Sequence, residues 1–144
     1  MDVRVRSIET RDAPVVAVLM RGLGFDPSAE EIERRMRLAS RRDVDRAFLA
    51  ETHGGNALGL IAVHIAPLLF YPQPLARITT LVVAEEARRR GVGRRLIEFA
   101  YDLAKKADCD TLELTTGLGR ADAHAFYQAQ GFHRSAFRLY RRVR

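Results

Sequence analysis

Residues 81–96 read LVVAEEARRRGVGRRL, and no other part of the sequence is as informative about the fold. Its apolar, valine-rich start is typical of a buried strand, which is followed by a basic turn with two glycines and then by helical periodicity. Such a turn presents backbone N–H groups, the positive end of a helix dipole and guanidinium groups to one anion. Because Gly91 and Gly93 have no side chain, a phosphate can approach the main chain closely. The stretch therefore predicts a diphosphate site.

The spacing excludes two familiar phosphate-binding motifs. A P-loop requires a Gly-Lys-Ser/Thr end, whereas Arg94 and Arg95 follow the second glycine here. The dinucleotide fingerprint requires three glycines, and this turn has two. Residues 88–93 instead fit the pattern Arg/Gln-x-x-Gly-x-Gly/Ala, which resembles the acetyl-CoA-binding motif of the GNAT superfamily of N-acetyltransferases.

A second stretch supports the same resemblance. Residues 123–132 read AHAFYQAQGF, which is similar to the family's Ala-x-x-x-Tyr-x-x-x-Gly-Phe signature and follows the first motif in the usual order and separation. The resemblance extends from about Ala47 to the end of the sequence. It implies an α/β (mixed α+β) acyl-CoA N-acyltransferase architecture, in which a mixed, largely antiparallel twisted sheet is flanked by helices.

Length and composition indicate one ordinary globular domain over residues 1–144. The chain is 47% hydrophobic and 29% charged, which is typical of a soluble protein. We expect no membrane partner, since no apolar run approaches the ~20 residues of a membrane span. Charged residues interrupt the N-terminus and deny it a signal-peptide core, so a cytoplasmic location is expected.

Charge and metal-ligating residues narrow the function further. The net charge of +6 fits either a solvated surface or a field that attracts an anionic cofactor. We expect no nucleic-acid partner, because the arginines are scattered and no stacking aromatic pattern alternates with them. No metal site is expected, since the four histidines have no partner at ligand spacing and Cys109 is the only cysteine. Its acidic neighbours Asp108 and Asp110 disfavour a thiolate and favour a structural role.

Periodicity and breaker residues predict six strands and four helices. The strands are predicted at residues 3–6, 46–52, 57–66, 76–83, 111–116 and 137–143, with a hairpin turn at 53–56. The helices are predicted at residues 10–23, after a capping box at 28–31, at 93–107 and at 121–130.

The resemblance assigns the binding of acetyl-CoA, the co-substrate, to the strand and the turn of the first motif. In the family, the main chain of the strand pairs with the pantetheine arm and the turn holds the diphosphate. A core strand is the alternative description of Leu81 and Val83, and both descriptions can hold together. The cofactor-binding residues predicted in this way are Leu81, Val82, Val83, Arg88, Arg89, Arg90, Gly91, Val92, Gly93, Arg94 and Arg95.

Tyr127 is the predicted catalytic residue. A phenol with an ordinary pKa near ~10 is protonated at neutral pH and can give its proton to a departing thiolate. The resembling enzymes often use the tyrosine at this place of the motif in that way. The alternative is a core tyrosine whose hydroxyl binds cofactor or water.

The general base is left open by the sequence. Many relatives carry an acidic residue on the strand before the turn, but Thr79 and Thr80 stand here. Glu51, His64 and Glu113 all lie on predicted strands near the site. The hypothesis is that the amine loses its proton through water ordered by one of the three.

The resemblance leads to one predicted function and several alternatives. The chain is expected to move an acetyl group directly to a primary amine of a small molecule, in a ternary complex, as a monomer or homodimer. Acetylation of a protein lysine or N-terminus, and a coenzyme A-binding module without catalysis, are the alternatives. The sequence of residues 120–127 is similar to that of a subgroup that includes aminoalkylphosphonate acetyltransferases. At residue 120, however, this chain has Arg120 where relatives frequently have asparagine. The roles of Arg120 and His124, like the acceptor itself, stay open.

Overall fold

Five strands form a single sheet in the computed structural model, which describes residues 2–40 and 45–144. The strands are β1 (Arg4–Ser7), β2 (Asp45–Glu51), β3 (Ala57–Ala66), β4 (Leu75–Val83) and β5 (Leu112–Leu114). They lie side by side in chain order. The pairs from β1 to β4 are antiparallel and the pair β4–β5 is parallel. The mixed, largely antiparallel sheet expected from the resemblance is confirmed.

Four helices cover the sheet. They are α1 (Ala13–Met20), α2 (Ala29–Ser40), α3 (Val92–Lys106) and α4 (Ala121–Ala129). The predicted capping of α2 is confirmed, since the Ser28 hydroxyl accepts a hydrogen bond from the Glu31 N–H at 3.1 Å. The first helix was predicted to reach residue 23, but its last turn, Arg21–Leu23, is a 3-10 turn that ends at Gly24 with a φ of 86°.

The helices pack on opposite faces of the sheet because the strand side chains alternate. On one face, Ile61 and Val63 of β3 form a buried cluster with Leu96 and Ala100 of α3, and Phe126 of α4 packs against it. On the other face, α1 and α2 contribute to a second buried cluster whose strand members are Leu49, Leu60 and Val82. The sheet is therefore the middle layer of three.

The hairpin between β2 and β3 fixes the register of the sheet. The predicted turn at residues 53–56 is confirmed by the hydrogen bond from the Thr52 N–H to the Asn56 carbonyl at 3.0 Å. Gly55 has a φ of 88°, which a residue with a side chain adopts only with strain. Counting outward from this turn, Asp45 lies directly opposite His64.

Strand β4 is irregular at the position that matters for the site. Ala62 of β3 pairs with Thr80, but the next residue, Val63, pairs with Ile78, so Thr79 is an extra residue in a bulge. The pairing of β4 with β5 stops at Ile78, although β4 continues to Val83. Beyond the bulge, one edge of β4 has therefore no neighbouring strand.

The predictions for the last part of the chain need two corrections. The strand predicted at 111–116 is reduced to Leu112–Leu114 because only three of its residues pair with β4. The strand predicted at 137–143 is wrong for the single chain, in which residues 133–144 have no regular structure and are all exposed. Strand geometry persists only where a neighbouring strand satisfies the backbone, and the tail has none here. No helix in the described part of the chain is long and apolar enough to cross a membrane.

Candidate active site

The basic turn between β4 and α3 has the backbone geometry of an anion site. Arg89 and Gly91 both have left-handed backbones, with φ values of 61° and 82°. No backbone carbonyl of the described residues accepts a hydrogen bond from the N–H groups of residues 89–91. The first N–H groups of α3, from Val92 onward, have no intrahelical acceptor either. Together these donors form a concave row, or nest, at the positive end of the α3 dipole.

Guanidinium groups surround this row of donors. Arg89, Arg90 and Arg95 are exposed and form no ion pair with an acidic side chain in the described part of the chain. Arg94 is held by Glu98, one helical turn along α3, at 3.0 Å. Arg88 points back toward β4 and donates to the Val83 carbonyl at 3.4 Å. Three of the five predicted arginine ligands are therefore available for a diphosphate.

The free edge of β4 leads directly to this turn. Leu81, Val82 and Val83 lie past the last pair with β5, so their backbone groups on that side can bind an extended ligand as a further strand would. Leu81 and Val83 also pack, partly buried, against the cluster on the α3 side, which confirms their predicted place in a core strand, and Val82 is buried on the α1 and α2 side. The predicted strand and turn residues are therefore contiguous, and we call the free edge of β4 together with this turn the groove.

Helix α4 covers the beginning of α3 and carries the predicted acid. A Cβ added at Gly93 would lie 3.2 Å from Phe126 Cζ, tighter than an ordinary contact, so the packing of α4 on α3 favours a small residue here. Tyr127 follows Phe126, and its ring packs edge-on against Phe126 and Phe132, with centroid distances of 5.5 and 5.9 Å. No described residue forms a hydrogen bond with its hydroxyl group, which is available to a ligand.

The surroundings of Tyr127 favour the protonated phenol. Burial raises its pKa above the ordinary value, and the positive charge of Arg120 opposes part of that shift. A phenol with a raised pKa keeps its proton at neutral pH. It can therefore act as an acid but not as a base under those conditions.

A buried hydroxyl lies shortly after the end of β5. Thr116 lies two residues after the end of β5, where β4 and β5 have separated. Its Oγ1 is buried and has no hydrogen-bond partner among the described residues. Buried polar atoms without a partner are rare in proteins, and a bound ligand is one way to satisfy them. The donors along the turn fit a diphosphate, and the Thr116 oxygen is a further polar atom that the described residues leave without a partner.

Glu51 does not act as a free base in this structure. Its side chain is almost fully buried, and Oε1 accepts hydrogen bonds from Arg6 at 3.0 Å and from Arg4. Arg6 also forms a two-pronged ion pair with Asp12, at 2.8 and 2.9 Å. The bond from Arg6, followed by that from Arg4, lowers the pKa of Glu51 despite its burial. The Glu51 carboxylate links β2 to β1 through these ion pairs, so its role is structural.

The other two candidate bases lie in a row of polar side chains across the sheet. Asp45 is opposite His64, His64 is opposite Arg77, and Arg77 is opposite Glu113, so the four share one face. His64 Nδ1 lies 2.7 Å from Asp45 Oδ1. Glu113 is held by Arg77, whose Nε donates to it at 2.7 Å. His64 is therefore the candidate whose ring is oriented by a partner yet still partly exposed.

His64 also lies near the bulge. Ala62, two residues before it on the same face of β3, is opposite Thr80. Two residues along a strand span about 7 Å. Among the described residues, the His64 side chain forms its hydrogen bond with Asp45 and none with the free edge of β4.

The two residues of open role have local contacts. His124 Nε2 lies 2.7 Å from the Gly117 carbonyl, which closes the loop before α4. Arg120 stands at the beginning of α4 and acts on Tyr127 through its charge.

Burial and two flanking carboxylates raise the pKa of Cys109, in accord with the structural role predicted for it. No group of ligating side chains in the described residues could hold a metal ion.

Two residues of the site were not found from the sequence. Asp45 is 19 positions from His64, and its role would follow from counting outward from the hairpin turn. Thr116 falls inside the predicted last part of a strand, and nothing in the sequence signals that its hydroxyl lacks a partner.

Comparisons with known proteins agree with this geometry. The sequence profile described as "Acetyltransferase (GNAT) family" matches residues 5–132. Among curated proteins, the aminoalkylphosphonate N-acetyltransferase of Salmonella typhimurium is 33% identical over 85 residues, which cover 59% of this chain and 55% of that enzyme. The chain thus spans about half the length of this curated relative.

Solved structures share the whole fold. A transcriptional regulator from Bacillus halodurans superposes with a TM-score of 0.89 at 24% identity, covering 99% of this chain and 100% of the other. The aminoglycoside enzyme AAC(6')-Iy, solved with a bisubstrate analogue that contains coenzyme A, superposes with a TM-score of 0.85 at 18% identity, covering 100% and 99% of the two chains. At these identities the likeness shows the fold alone.

Proposed function

Because the chain belongs to the acetyltransferase (GNAT) family, we propose that it moves an acetyl group from acetyl-CoA directly to a primary amine of a small molecule, with both substrates bound together. The observation that carries the proposal is the free edge of β4, which runs into a nest of unpaired N–H groups at the start of α3. The groove fits a carrier that is extended at one end and has a diphosphate at the other.

Different residues of the groove bind different parts of acetyl-CoA, the acetyl donor. Backbone groups of Leu81 and Val83 bind the extended arm as a neighbouring strand would, and an N–H there polarises the carbonyl to be attacked. The N–H groups of residues 89–93 and the unpaired guanidinium groups bind the diphosphate. The bound thioester supplies an activated acetyl group.

Tyr127 acts as the acid in this proposal. Its hydroxyl is half-buried, bonded to no described protein group, and kept protonated by its surroundings. It gives its proton to the sulfur that departs when the acetyl group is transferred.

His64 acts as the base, through a water molecule. Nδ1–H donates to Asp45, and this fixes the tautomer that leaves Nε2 with a free lone pair. Nε2 then orients a water that takes the proton from the ammonium group of the acceptor. Glu113 is paired with Arg77 and Glu51 with two arginines, and a carboxylate is an intrinsically weaker base than an imidazole.

A small-molecule acceptor is supported by the similarity to the Salmonella relative, an aminoalkylphosphonate N-acetyltransferase. A protein amine is the alternative within enzymes, and a coenzyme A-binding module is the alternative outside them. The polar row of the sheet is partly exposed, and an acidic group of an acceptor would compete with Glu113 for Arg77.

Two measurements in sequence test the proposal. Calorimetry with acetyl-CoA, coenzyme A and duplex DNA separates a cofactor site from a general polyanion surface, and only the first two are expected to bind. A thiol-release assay then screens aminoalkylphosphonates, aminoglycosides, polyamines and an N-terminal peptide amine. Turnover with a small amine supports the proposal. Turnover with the peptide alone favours the protein acetyltransferase, and binding without any turnover favours the module.

A further inference from the structure

The turn of residues 117–120, which leads into α4, is held from two sides. The Gly117 carbonyl accepts a hydrogen bond from the Arg120 N–H at 3.3 Å, and His124 Nε2 lies 2.7 Å from the same oxygen. Because a carbonyl oxygen only accepts hydrogen bonds, Nε2 must carry the hydrogen of the second bond. His124 therefore fastens the turn to the helix that follows it.

This side-chain bond is not required for the helix itself. The backbone bond that begins α4, from the His124 N–H to the Arg120 carbonyl, is present at 3.0 Å. No side chain caps the start of α4, so the usual link between a helix and the chain before it is missing. His124 supplies such a link instead, since it reaches seven residues back to a carbonyl outside the helix.

Arg120 lies across the fastened turn. A Cβ added at Gly117 would lie 3.6 Å from both Cγ and Cδ of Arg120, which is an ordinary van der Waals contact. The apolar stem of Arg120 thus packs over Gly117 while its charged end stays in solvent. A displacement of Gly117 would therefore displace this guanidinium group as well.

The charge of Arg120 acts on the Tyr127 phenol. Arg120, His124 and Tyr127 follow one another at spacings of four and three residues, which puts them on one face of α4. Burial raises the pKa of Tyr127, and the charge of Arg120 opposes that rise. Arg120 is the charged group that has this effect, and the other charged or titratable side chains on α4 and on the segments beside it are Asp122, His124, His133, Arg94 and Arg95.

We propose that His124 is a positioning residue, which holds Gly117 and thereby keeps the guanidinium group of Arg120 near the Tyr127 phenol. The inference rests on the proposed function, in which Tyr127 gives its proton to the departing sulfur. In that step the phenolic O–H bond breaks, the thiolate becomes a thiol and a phenolate remains. A nearby positive charge stabilises the phenolate, which takes a proton from water before the next turnover.

The His124 contact is present at every pH at which the phenol titrates. The neutral ring with its hydrogen on Nε2 and the doubly protonated ring both donate from this nitrogen. A change in the alkaline range of a His124 variant therefore reports the lost contact and not the titration of His124.

The first test follows the phenol itself, without any substrate. The chain is labelled with ¹³C at tyrosine Cζ and titrated by NMR, and Tyr127→Phe identifies the Tyr127 signal among the four tyrosines. Arg120→Gln is expected to move the Tyr127 midpoint to higher pH, because the charge is removed. His124→Ala is expected to move it in the same direction, because the charge is no longer held.

Two further variants make this titration specific. His124→Gln is expected to keep the wild-type midpoint, since the glutamine amide nitrogen can take the place of Nε2 and donate to the Gly117 carbonyl. In the Arg120→Gln background, His124→Ala is expected to add nothing, because the two residues act through one charge. An unmoved midpoint in His124→Ala or in Arg120→Gln, or equal shifts for His124→Ala with and without Arg120, overturns the proposal.

The second test asks whether the held charge matters for acetyl transfer. With an amine that the wild type acetylates, His124→Ala is expected to lower kcat about fivefold, the size of one ordinary hydrogen bond, and to move the alkaline limb of the pH–rate profile to higher pH. His124→Gln should restore both, and His53→Ala, at the exposed histidine beside Asp2, is the matched control. An unchanged kcat and profile in His124→Ala overturns the proposal. If the wild type acetylates no amine, the proposed function fails instead, and the titration alone decides whether His124 holds Arg120 in place.

Discussion

Tyr127 is partly buried against the rings of Phe126 and Phe132, and this burial favours the protonated form of its phenol. The raised pKa keeps the proton on the phenol until the pH rises above the ordinary tyrosine value. Replacing Tyr127 by Phe is therefore expected to lower kcat about 10²-fold with little change in the affinity for acetyl-CoA. It also removes the loss of activity at high pH that deprotonation causes.

Steady-state rates across pH, together with calorimetric binding of acetyl-CoA, check this expectation. Tyr101 is the control, because it is an exposed tyrosine of α3 that contacts Lys105 rather than the groove. Tyr101→Phe should leave kcat unchanged. An unchanged kcat in Tyr127→Phe would remove the acid role.

His64 allows an equally local test, because the chain contains two pairs of a histidine and an aspartate. His64→Gln is expected to lower kcat about 10²-fold and to abolish the acidic limb of the pH–rate profile, since the group that accepts the proton is lost. Asp45→Asn should have a smaller effect in the same direction. His53, which lies 2.6 Å from Asp2, is the matched control, and His53→Gln should leave the profile intact. If the His64→Gln profile keeps its acidic limb, the base is another group.

Residue chemistry was predictable where a motif fixes it. Tyr127 and the arginine turn follow from the order of residue types. In the structure the turn continues the free edge of β4, and Tyr127 lies on the helix that packs against the start of α3. Glu51 could not be assigned in this way, because its partners Arg4 and Arg6 are more than 40 positions away and meet it only through the pairing of β1 with β2. Side-chain pairs between strands depend on register, which single residues do not reveal.

At the scale of elements, the turn before α3 depends on the left-handed backbone of Gly91. A β-branched residue at its φ of 82° is strained by about 1–3 kcal/mol, and relaxation moves the N–H groups that line the nest. Gly91→Val is therefore expected to weaken acetyl-CoA binding at least tenfold, measured by calorimetry. Gly55→Val is the control, since Gly55 has nearly the same φ of 88° in the β2–β3 hairpin. It should lose comparable stability yet bind acetyl-CoA normally, and equal loss of binding in both variants would contradict a local effect.

The ion pairs between β1, β2 and the turn before α1 stabilise the fold against acid. The pKa values of Glu51 and Asp12 are lowered, chiefly by hydrogen bonds from Arg6. Their stabilisation is therefore complete above the ordinary carboxyl values and is lost as the pH falls through the lowered ones. Glu51→Gln is expected to cost on the order of 3 kcal/mol at pH 7, because breaking a buried pair leaves charges poorly compensated.

Urea unfolding at several pH values measures this cost. Glu33→Gln breaks the exposed pair with Arg37 on α2 and should cost below about 1 kcal/mol. The difference between the two variants should shrink as the pH falls. A pH-independent difference would show that Glu51 contributes through packing rather than charge.

The elements themselves were largely predictable, because periodicity and turn residues are local signals. The hairpin at 53–56, the capped start of α2 and the long helix α3 all follow from such signals. The short β5 and the unpaired tail do not. Whether a strand-like segment becomes a strand depends on a partner edge, and for residues 137–143 the single chain supplies none.

For the whole molecule, the mixed sheet with helices on both faces follows from the strand–turn–helix stretch at 81–96 and its resemblance to a known family. The groove could not be predicted from that stretch alone. It requires the bulge at Thr79 and the early end of the β4–β5 pairing, both of which arise from the assembled sheet. The charge of +6 and the exposed arginines favour an anionic ligand for the molecule as a whole.

A crystal structure of the chain with acetyl-CoA bound tests most directly whether the turn after β4 binds the diphosphate. We predict that the pyrophosphate oxygens accept hydrogen bonds from N–H groups within residues 89–93 and that the pantetheine arm lies along the free edge of β4. Phosphates bound anywhere else on the chain, or an arm that leaves this edge empty, would contradict the account.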